Sequence, residues 1–216
     1  MIKVAIIPCY NEERTIIDVV GKVKRYVDKV IVIDDGSKDE TTRLAREAGA
    51  IVLRHATNIG KGGVLRTGFR AAELLGADAI VTLDGDGQHE PQEIVNLFDG
   101  LKNADIVIGV RKPNERMPGV FKLGNVFLNA LFCNLFGLRI KDTQSGFRAF
   151  NECYKRLKWG SNDYRVETEV LTNINKYNLR YKEIAIDTVY NDAYKGTTVL
   201  DGIRIALSMI LWRLKG

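Results

Sequence analysis

Residues 79–88, Ala79-Ile80-Val81-Thr82-Leu83-Asp84-Gly85-Asp86-Gly87-Gln88, run from an apolar segment straight into two carboxylates and an amide. Alternate residues of an extended chain face one side, so Asp84, Asp86 and Gln88 present three oxygen groups together. Hard divalent cations such as Mg²⁺ or Mn²⁺ take oxygen ligands of this kind and usually share their shell with a substrate's phosphates. Gly85 lets the backbone come close to a ligand with no Cβ in the way. The stretch predicts a strand that ends in a cation and phosphate site. A lone Asp-Gly-Asp would be only a polar turn, so its neighbours decide.

Those neighbours repeat the design. Short β-rich runs alternate with helical patterns through the first half, the signature of βαβ units and a mainly parallel sheet. The expected strands are Ile2–Pro8, Lys29–Asp34, Ala50–Arg54, Ala79–Leu83 and Asp105–Val110. A first helix is expected with Asn11 as N-cap and with Ile16, Val19, Val20, Val23 and Val27 on one face. Further helices are expected over 40–48, 62–75 and 91–101, with Pro91 at a first helical position. Ligand loops in such sheets lie at the carboxyl ends of the strands. Pro8-Cys9-Tyr10-Asn11-Glu12, Asp34-Asp35-Gly36-Ser37 and Asp84-Gly85-Asp86 all fall there, so three polar clusters are expected on one sheet edge.

The second half differs. Residues 119–138 are strongly apolar except for Lys122, Asn125, Asn129 and Cys133 at helical spacing. Residues 199–215 repeat this, with Asp201, Arg204, Ser208 and Lys215 opposite Ile203, Leu207, Ile210, Leu211 and Leu214. Two placements fit such helices: the membrane interface with the apolar face down, or packing on the sheet, on each other or on a second subunit as a homodimer. The Trp212-Arg213-Leu214-Lys215 end favours the membrane. No run reaches the ~20 apolar residues of a bilayer span, and the sequence opens on a strand pattern, not a signal peptide. A cytoplasmic protein, peripheral on the cytoplasmic face of a membrane, is expected.

The 216 residues fit one large α/β unit, with a 45% hydrophobic and 27% charged composition ordinary for a globular protein. The formal charge of +5 suits anionic substrates or membrane surfaces. No basic run interleaved with aromatics argues for nucleic acid. Cys9, Cys133 and Cys153 match no zinc or redox spacing, and two histidines cannot make a histidine-rich metal site.

Several motif readings fail. After Asp84-Gly85-Asp86 the sixth and twelfth positions of an EF-hand loop hold His89 and Val95 rather than Gly and Glu. Asn58-Ile59-Gly60-Lys61-Gly62-Gly63 lacks the Ser or Thr of a Walker A loop. Pro8-Cys9-Tyr10 stands where a dinucleotide fold needs glycines. Kinase, NTPase and dehydrogenase readings drop away. A nucleotidyltransferase would usually carry a Gly- and Arg-rich loop after the first strand.

The ordered set Pro8-Cys9-Tyr10-Asn11-Glu12-Glu13, Val32-Ile33-Asp34-Asp35-Gly36-Ser37, Asn58-Ile59-Gly60-Lys61-Gly62 and Asp84-Gly85-Asp86-Gly87-Gln88 resembles family 2 glycosyltransferases of the GT-A fold. Gly109-Val110-Arg111 and Asp142-Thr143-Gln144-Ser145-Gly146-Phe147-Arg148 resemble the branch that makes polyprenyl-phosphate sugars, the dolichyl-phosphate mannose synthase type. The resemblance implies a GT-A domain over 1–198, with a nucleotide-sugar-binding half at 1–110 and an acceptor half at 111–198, followed by an amphipathic helix at 199–216. It implies an inverting transfer from a nucleotide diphosphate sugar to a polyprenyl or dolichyl phosphate. The alternatives are a hydroxyl or glycan acceptor, or a silent nucleotide-sugar-binding protein.

The resemblance also implies roles. Pro8, Tyr10, Asn11 and Glu12 would line the nucleotide pocket, with the Tyr10 ring facing the base. Asp34 or Asp35 would accept hydrogen bonds from base or ribose, and the other would hold a turn, as would Glu13. Lys61 is either a diphosphate or base-edge contact or a solvated lysine. Asp84, Asp86 and Gln88 would hold Mg²⁺ or Mn²⁺ against the diphosphate, with Gly85 between them. A lipid phosphate is already anionic and needs cations more than a base. Arg111, Lys122 and Arg148 are candidates, with Arg111 preferred and Arg148 alternatively tying down Asp142. A hydroxyl acceptor would need a base, and Asp142 is the candidate. An arginine frequent after the last strand of such synthases is replaced around Ala193, and Lys195 is expected to supply its charge.

Overall fold

The computed structural model describes residues 1–112, 119–189 and 198–214. Its strands are β1 (Lys3–Cys9), β2 (Lys29–Asp34), β3 (Ile51–Arg54), β4 (Ala79–Thr82), β5 (Ile106–Arg111), β6 (Arg148–Phe150) and β7 (Tyr181–Ile186). Its helices are α1 (Ile16–Val23), α2 (Thr41–Glu47), α3 (Lys61–Leu74), α4 (Glu93–Gly100), α5 (Gly119–Phe136), α6 (Val166–Lys176) and α7 (Val199–Leu214), with a 3-10 turn at Glu152–Arg156.

One sheet runs in the order β3-β2-β1-β4-β6-β5-β7. β3, β2, β1 and β4 are mutually parallel, β6 is antiparallel to both β4 and β5, and β7 runs parallel to β5. Strands covered on both faces read as continuous apolar runs, and the residues divide by parity. Val4, Ile6, Ile31, Ile33, Ile80, Ile106 and Ile108 pack into one core with α3, α5, α6 and α7. Ala5, Ile7, Val30, Val32, Val81 and Val107 pack into the other with α1, α2 and α4. The result is a helix-sheet-helix sandwich. Its first, parallel half is as expected, whereas β6 and β7 are strands that the alternation pattern did not single out.

Three local expectations need correction. Asn11 does not cap α1, which begins at Ile16 after Thr15. Asn11 sits at φ 55°, its Oδ1 accepts from Lys38 N at 2.8 Å, and it ties the β1 end to the β2 end. Val27 lies beyond the end of α1, although it still packs on the core. Pro91 lies in the turn before α4, which starts at Glu93.

The apolar helices take one of the placements their sequence allows, packing on each other, while still leaving apolar surface outside. α5 and α7 pack against one another, and α5 buries Leu128 and Phe132 while α7 buries Ile205, Ser208 and Met209. Asn129, on the polar stripe of α5, faces inward and bonds Lys141 O and Thr143. Leu123, Val126 and Phe127 of α5 and Leu200, Ile203, Leu207, Ile210, Leu211 and Leu214 of α7 stay exposed. Among the described residues no helix is long and apolar enough to cross a membrane.

Candidate active site

The ends of β1, β2 and β4 are neighbours in the sheet, so the loops after them meet. Hydrogen bonds cross-link them. Asn11 N donates to Ser37 Oγ, Glu12 N to Thr41 Oγ1 and Thr15 Oγ1 to the Gly85 carbonyl, at 2.9, 2.8 and 2.7 Å. They enclose a cavity of about 580 Å³ lined by Pro8, Tyr10, Glu12, Asp35, Lys61, Asp84, Gly85 and Asp86. Eight residues expected from the sequence to bind the donor therefore share one space.

The two aspartates after β2 separate. Asp34 is fully buried beneath the β2–α2 turn, where it accepts from Ser37 N and Thr42 Oγ1 and lies 3.6 Å from Arg54 Nε. It does not line the cavity, and its role is the turn. Asp35 does line it, and its carboxylate also accepts from Ile59 N (3.0 Å), from Gly60 N (2.8 Å) and, on its Oδ1, meets His55 Nδ1 at 2.8 Å. Asp35 thereby fixes the start of α3, which carries Lys61.

Lys61 is not a solvated lysine. Its ammonium lies 2.6 Å from Asp84 Oδ1 and 2.8 Å from Glu167 Oε1, nearly out of solvent. Burial works against its charge, but the two carboxylates outweigh it and hold the ammonium well above its ordinary pKa. Asp84 is held low by Lys61 against the upward push of burial. Asp86 differs: burial, then Asp84, then Glu12 push it up to about 6. Among the described residues no lysine or arginine ion-pairs with Asp86, so this carboxylate is short of a cation, which fits the donor chemistry of a divalent metal site. Gln88 follows on the same turn, its N–H donating to Asp86 Oδ1 at 3.0 Å.

At the end of β5, Arg111 and Asp142 form a two-pronged pair, Nε to Oδ2 at 2.7 Å and Nη2 to Oδ1 at 2.9 Å. The sequence allowed Arg148 this partner. Arg148 instead donates to the Thr143 carbonyl at 3.0 Å and faces Glu167 at 3.5 Å, fully inside the protein. Arg148 comes from the strand between β4 and β5 and points into the interior, whereas Arg111 leaves the sheet edge. His89 is buried among these groups, stacked on Phe147 at 4.9 Å, and burial lowers its pKa to about 4, so it is neutral near pH 7. Lys122 is exposed on α5. Lys195 lies outside the described residues.

Sequence reasoning missed Glu167 and the loop before α6. Asp163 and Tyr164 of that loop, and Asp201 of α7, also line the cavity. Gly62 N donates to Asn162 O at 2.7 Å, and a Cβ at Gly62 would collide with the Ser161 carbonyl. The Gly-rich start of α3 thus admits this loop against the cavity. The loop's own polar residues carry only a turn signal, which gives no hint of a partner 100 residues away.

A model of glycosyl transferase family 2 matches residues 4–159. The chain is 32% identical to the UDP-N-acetylglucosamine–dolichyl-phosphate N-acetylglucosaminyltransferase of Methanococcus voltae, over 97% of this chain and 95% of that one. It is 34% identical to the undecaprenyl-phosphate mannosyltransferase of Micrococcus luteus over 67% of this chain and 64% of that one. In fold it resembles glucosyl-3-phosphoglycerate synthase from Mycobacterium tuberculosis, solved with Mn²⁺, UDP-glucose and phosphoglyceric acid. The TM-score is 0.76 at 20% identity, covering 99% of this chain and 80% of that chain.

Proposed function

Because the chain belongs to glycosyl transferase family 2 and has the GT-A fold, we propose that it moves a sugar, with inversion, from a nucleotide diphosphate sugar to a polyprenyl or dolichyl phosphate. The observation that carries this reading is the single cavity in which Tyr10 and Asp35 stand with Lys61 and the Asp84-Gly85-Asp86 turn. An aromatic ring and a carboxylate suit a nucleoside, and an ammonium beside a cation-seeking carboxylate suits a diphosphate. Asp84, Asp86 and Gln88 would hold Mg²⁺ or Mn²⁺, which when bound neutralises charge on the departing nucleoside diphosphate. Relatives named for dolichyl- and undecaprenyl-phosphate support the lipid acceptor.

Arg111 would hold the acceptor phosphate in line, with Asp142 fixing its guanidinium. The phosphate is already anionic, so no base is needed. The two-pronged pair counts against the hydroxyl-acceptor reading, because Arg111 engages both oxygens of the carboxylate that would have to meet the hydroxyl. The exposed apolar side chains of α5 and α7, beside the exposed Lys122, Arg204 and Arg213, fit peripheral contact with an anionic bilayer. We assign that contact to the cytoplasmic face, where nucleotide sugars are at hand.

The test is purified protein with Mn²⁺, a panel of UDP- and GDP-sugars, and polyprenyl phosphate set against sugar acceptors. A lipid-linked product with one donor is expected. No lipid-linked product with any donor sinks the acceptor assignment.

A further inference from the structure

Glu167 lies in the first turn of α6, 5% exposed, outside every motif of the sequence. Its two oxygens divide between two cations, Oε1 at 2.8 Å from Lys61 Nζ and Oε2 at 3.5 Å from Arg148 Nη2. Lys61 also reaches Asp84, so Asp84, Lys61, Glu167 and Arg148 form a chain of alternating charge from the cavity into the interior. Burying an ion costs several kcal/mol unless it is well paired, so a four-charge chain needs a reason. Gly146 closes one side: a Cβ there would stand 2.9 Å from Lys61 Nζ, 3.2 Å from Glu167 Oε1 and 3.3 Å from Asp84 Oδ2. The cluster has no room to spread toward that backbone.

The geometry has a direct consequence for the acidic turn. Lys61 is already in contact with Asp84 at 2.6 Å, and Glu167 at 2.8 Å supplies a second carboxylate that fixes where the ammonium stands. Sharing with Glu167 holds the ammonium between them. Both contacts are ion pairs, and Glu167 Oε1 accepts no hydrogen bond among the described residues, so the ammonium keeps N–H donors for a phosphate oxygen. We propose that Glu167 is a positioning residue for donor binding: it holds the Lys61 ammonium at the phosphate end of the cavity, where Lys61 meets the donor's diphosphate. This rests on the nucleotide-diphosphate-sugar reading above.

The experiment titrates UDP and GDP, each with Mn²⁺, into the full chain by calorimetry, alongside thermal melting. The variants are Glu167→Gln, Lys61→Met and the double variant. For whichever nucleotide the wild type binds, each single change is expected to weaken affinity about tenfold, the scale of one charge-assisted hydrogen bond. The double variant should lose no more than about the same tenfold, because both changes remove one contact. A role in folding alone would not produce that coupling. Losses that multiply to about a hundredfold, or a folded Glu167→Gln protein with wild-type affinity, overturn the proposal. If Glu167→Gln does not fold, Glu167→Asp keeps a charge for Arg148 while withdrawing the carboxylate from Lys61. The same tenfold loss is then expected, and unchanged affinity overturns the proposal. A wild-type chain that binds neither nucleotide overturns the donor reading itself, and the proposal with it.

Discussion

The two parts of the proposed active site are built differently. On the donor side the loops after β1, β2 and β4 are short, cross-linked by backbone-to-side-chain hydrogen bonds, and fixed by buried carboxylates such as Asp34 and Asp35. On the side we propose for the acceptor, the Arg111–Asp142 pair stands at the end of β5, and the helices α5 and α7 leave large apolar side chains in the open. A water-soluble anion is best met by donors fixed before it arrives. A lipid phosphate arrives from a surface, and the protein has to meet that surface as well as the phosphate. On the proposed function, the contrast in burial matches the phase from which each substrate would come.

Three changes test that contrast. The largest effect belongs to the donor side: Asp86→Asn is expected to lower transfer about 10²–10³-fold, the scale of losing one group that stabilises developing charge. Transfer or donor hydrolysis that keeps its rate and its metal dependence would remove Asp86 from the cation site. Next, Arg111→Lys is expected to lower the lipid-phosphate-dependent rate about tenfold to a hundredfold, because an ammonium cannot make the two-pronged contact. Nucleotide affinity, read by calorimetry, should move less than about twofold. An equal loss in both would mean that Arg111 serves the donor. The smallest effect is on the helix face: Leu207→Asp with Leu211→Asp should cut flotation with anionic liposomes about tenfold, or about 1.4 kcal/mol, since leucines only partly sunk in the interface contribute a fraction of the roughly 1.5–3 kcal/mol of full burial. Both side chains are exposed, so the melting temperature should barely change. Liposome binding equal to wild type would assign this face to a second protein surface.

Much of the donor side was legible because its signals are local. A run such as Ile31-Val32-Ile33-Asp34 announces both a strand and the polar loop after it. Eight expected residues, among them Tyr10, Lys61, Asp84 and Asp86, do share the cavity. Asp34 and Asp35 could not be told apart, since adjacent side chains on an extended segment point to opposite sides and only the surroundings say which side holds the ligand. β6 was hidden because a three-residue strand, Arg148–Phe150, has too short a period to read. The alternative partner for Asp142, Arg148, fails for a related reason: Arg111 and Arg148 come from antiparallel strands whose pairing is not written locally, and only Arg111 reaches Asp142.

The sequence by itself determined the order of the parallel strands' polar ends, the acidic turn and the apolar character of two helices, since each follows from residue type and spacing within a few positions. Only the tertiary structure decided that Lys61 is an ion-paired interior lysine, that Glu167 is its second partner, and that α5 and α7 leave large apolar side chains such as Phe127 and Leu207 facing outward. Those depend on which distant surfaces meet. The desolvation of a charge and the covering of a leucine are set by neighbours far along the chain.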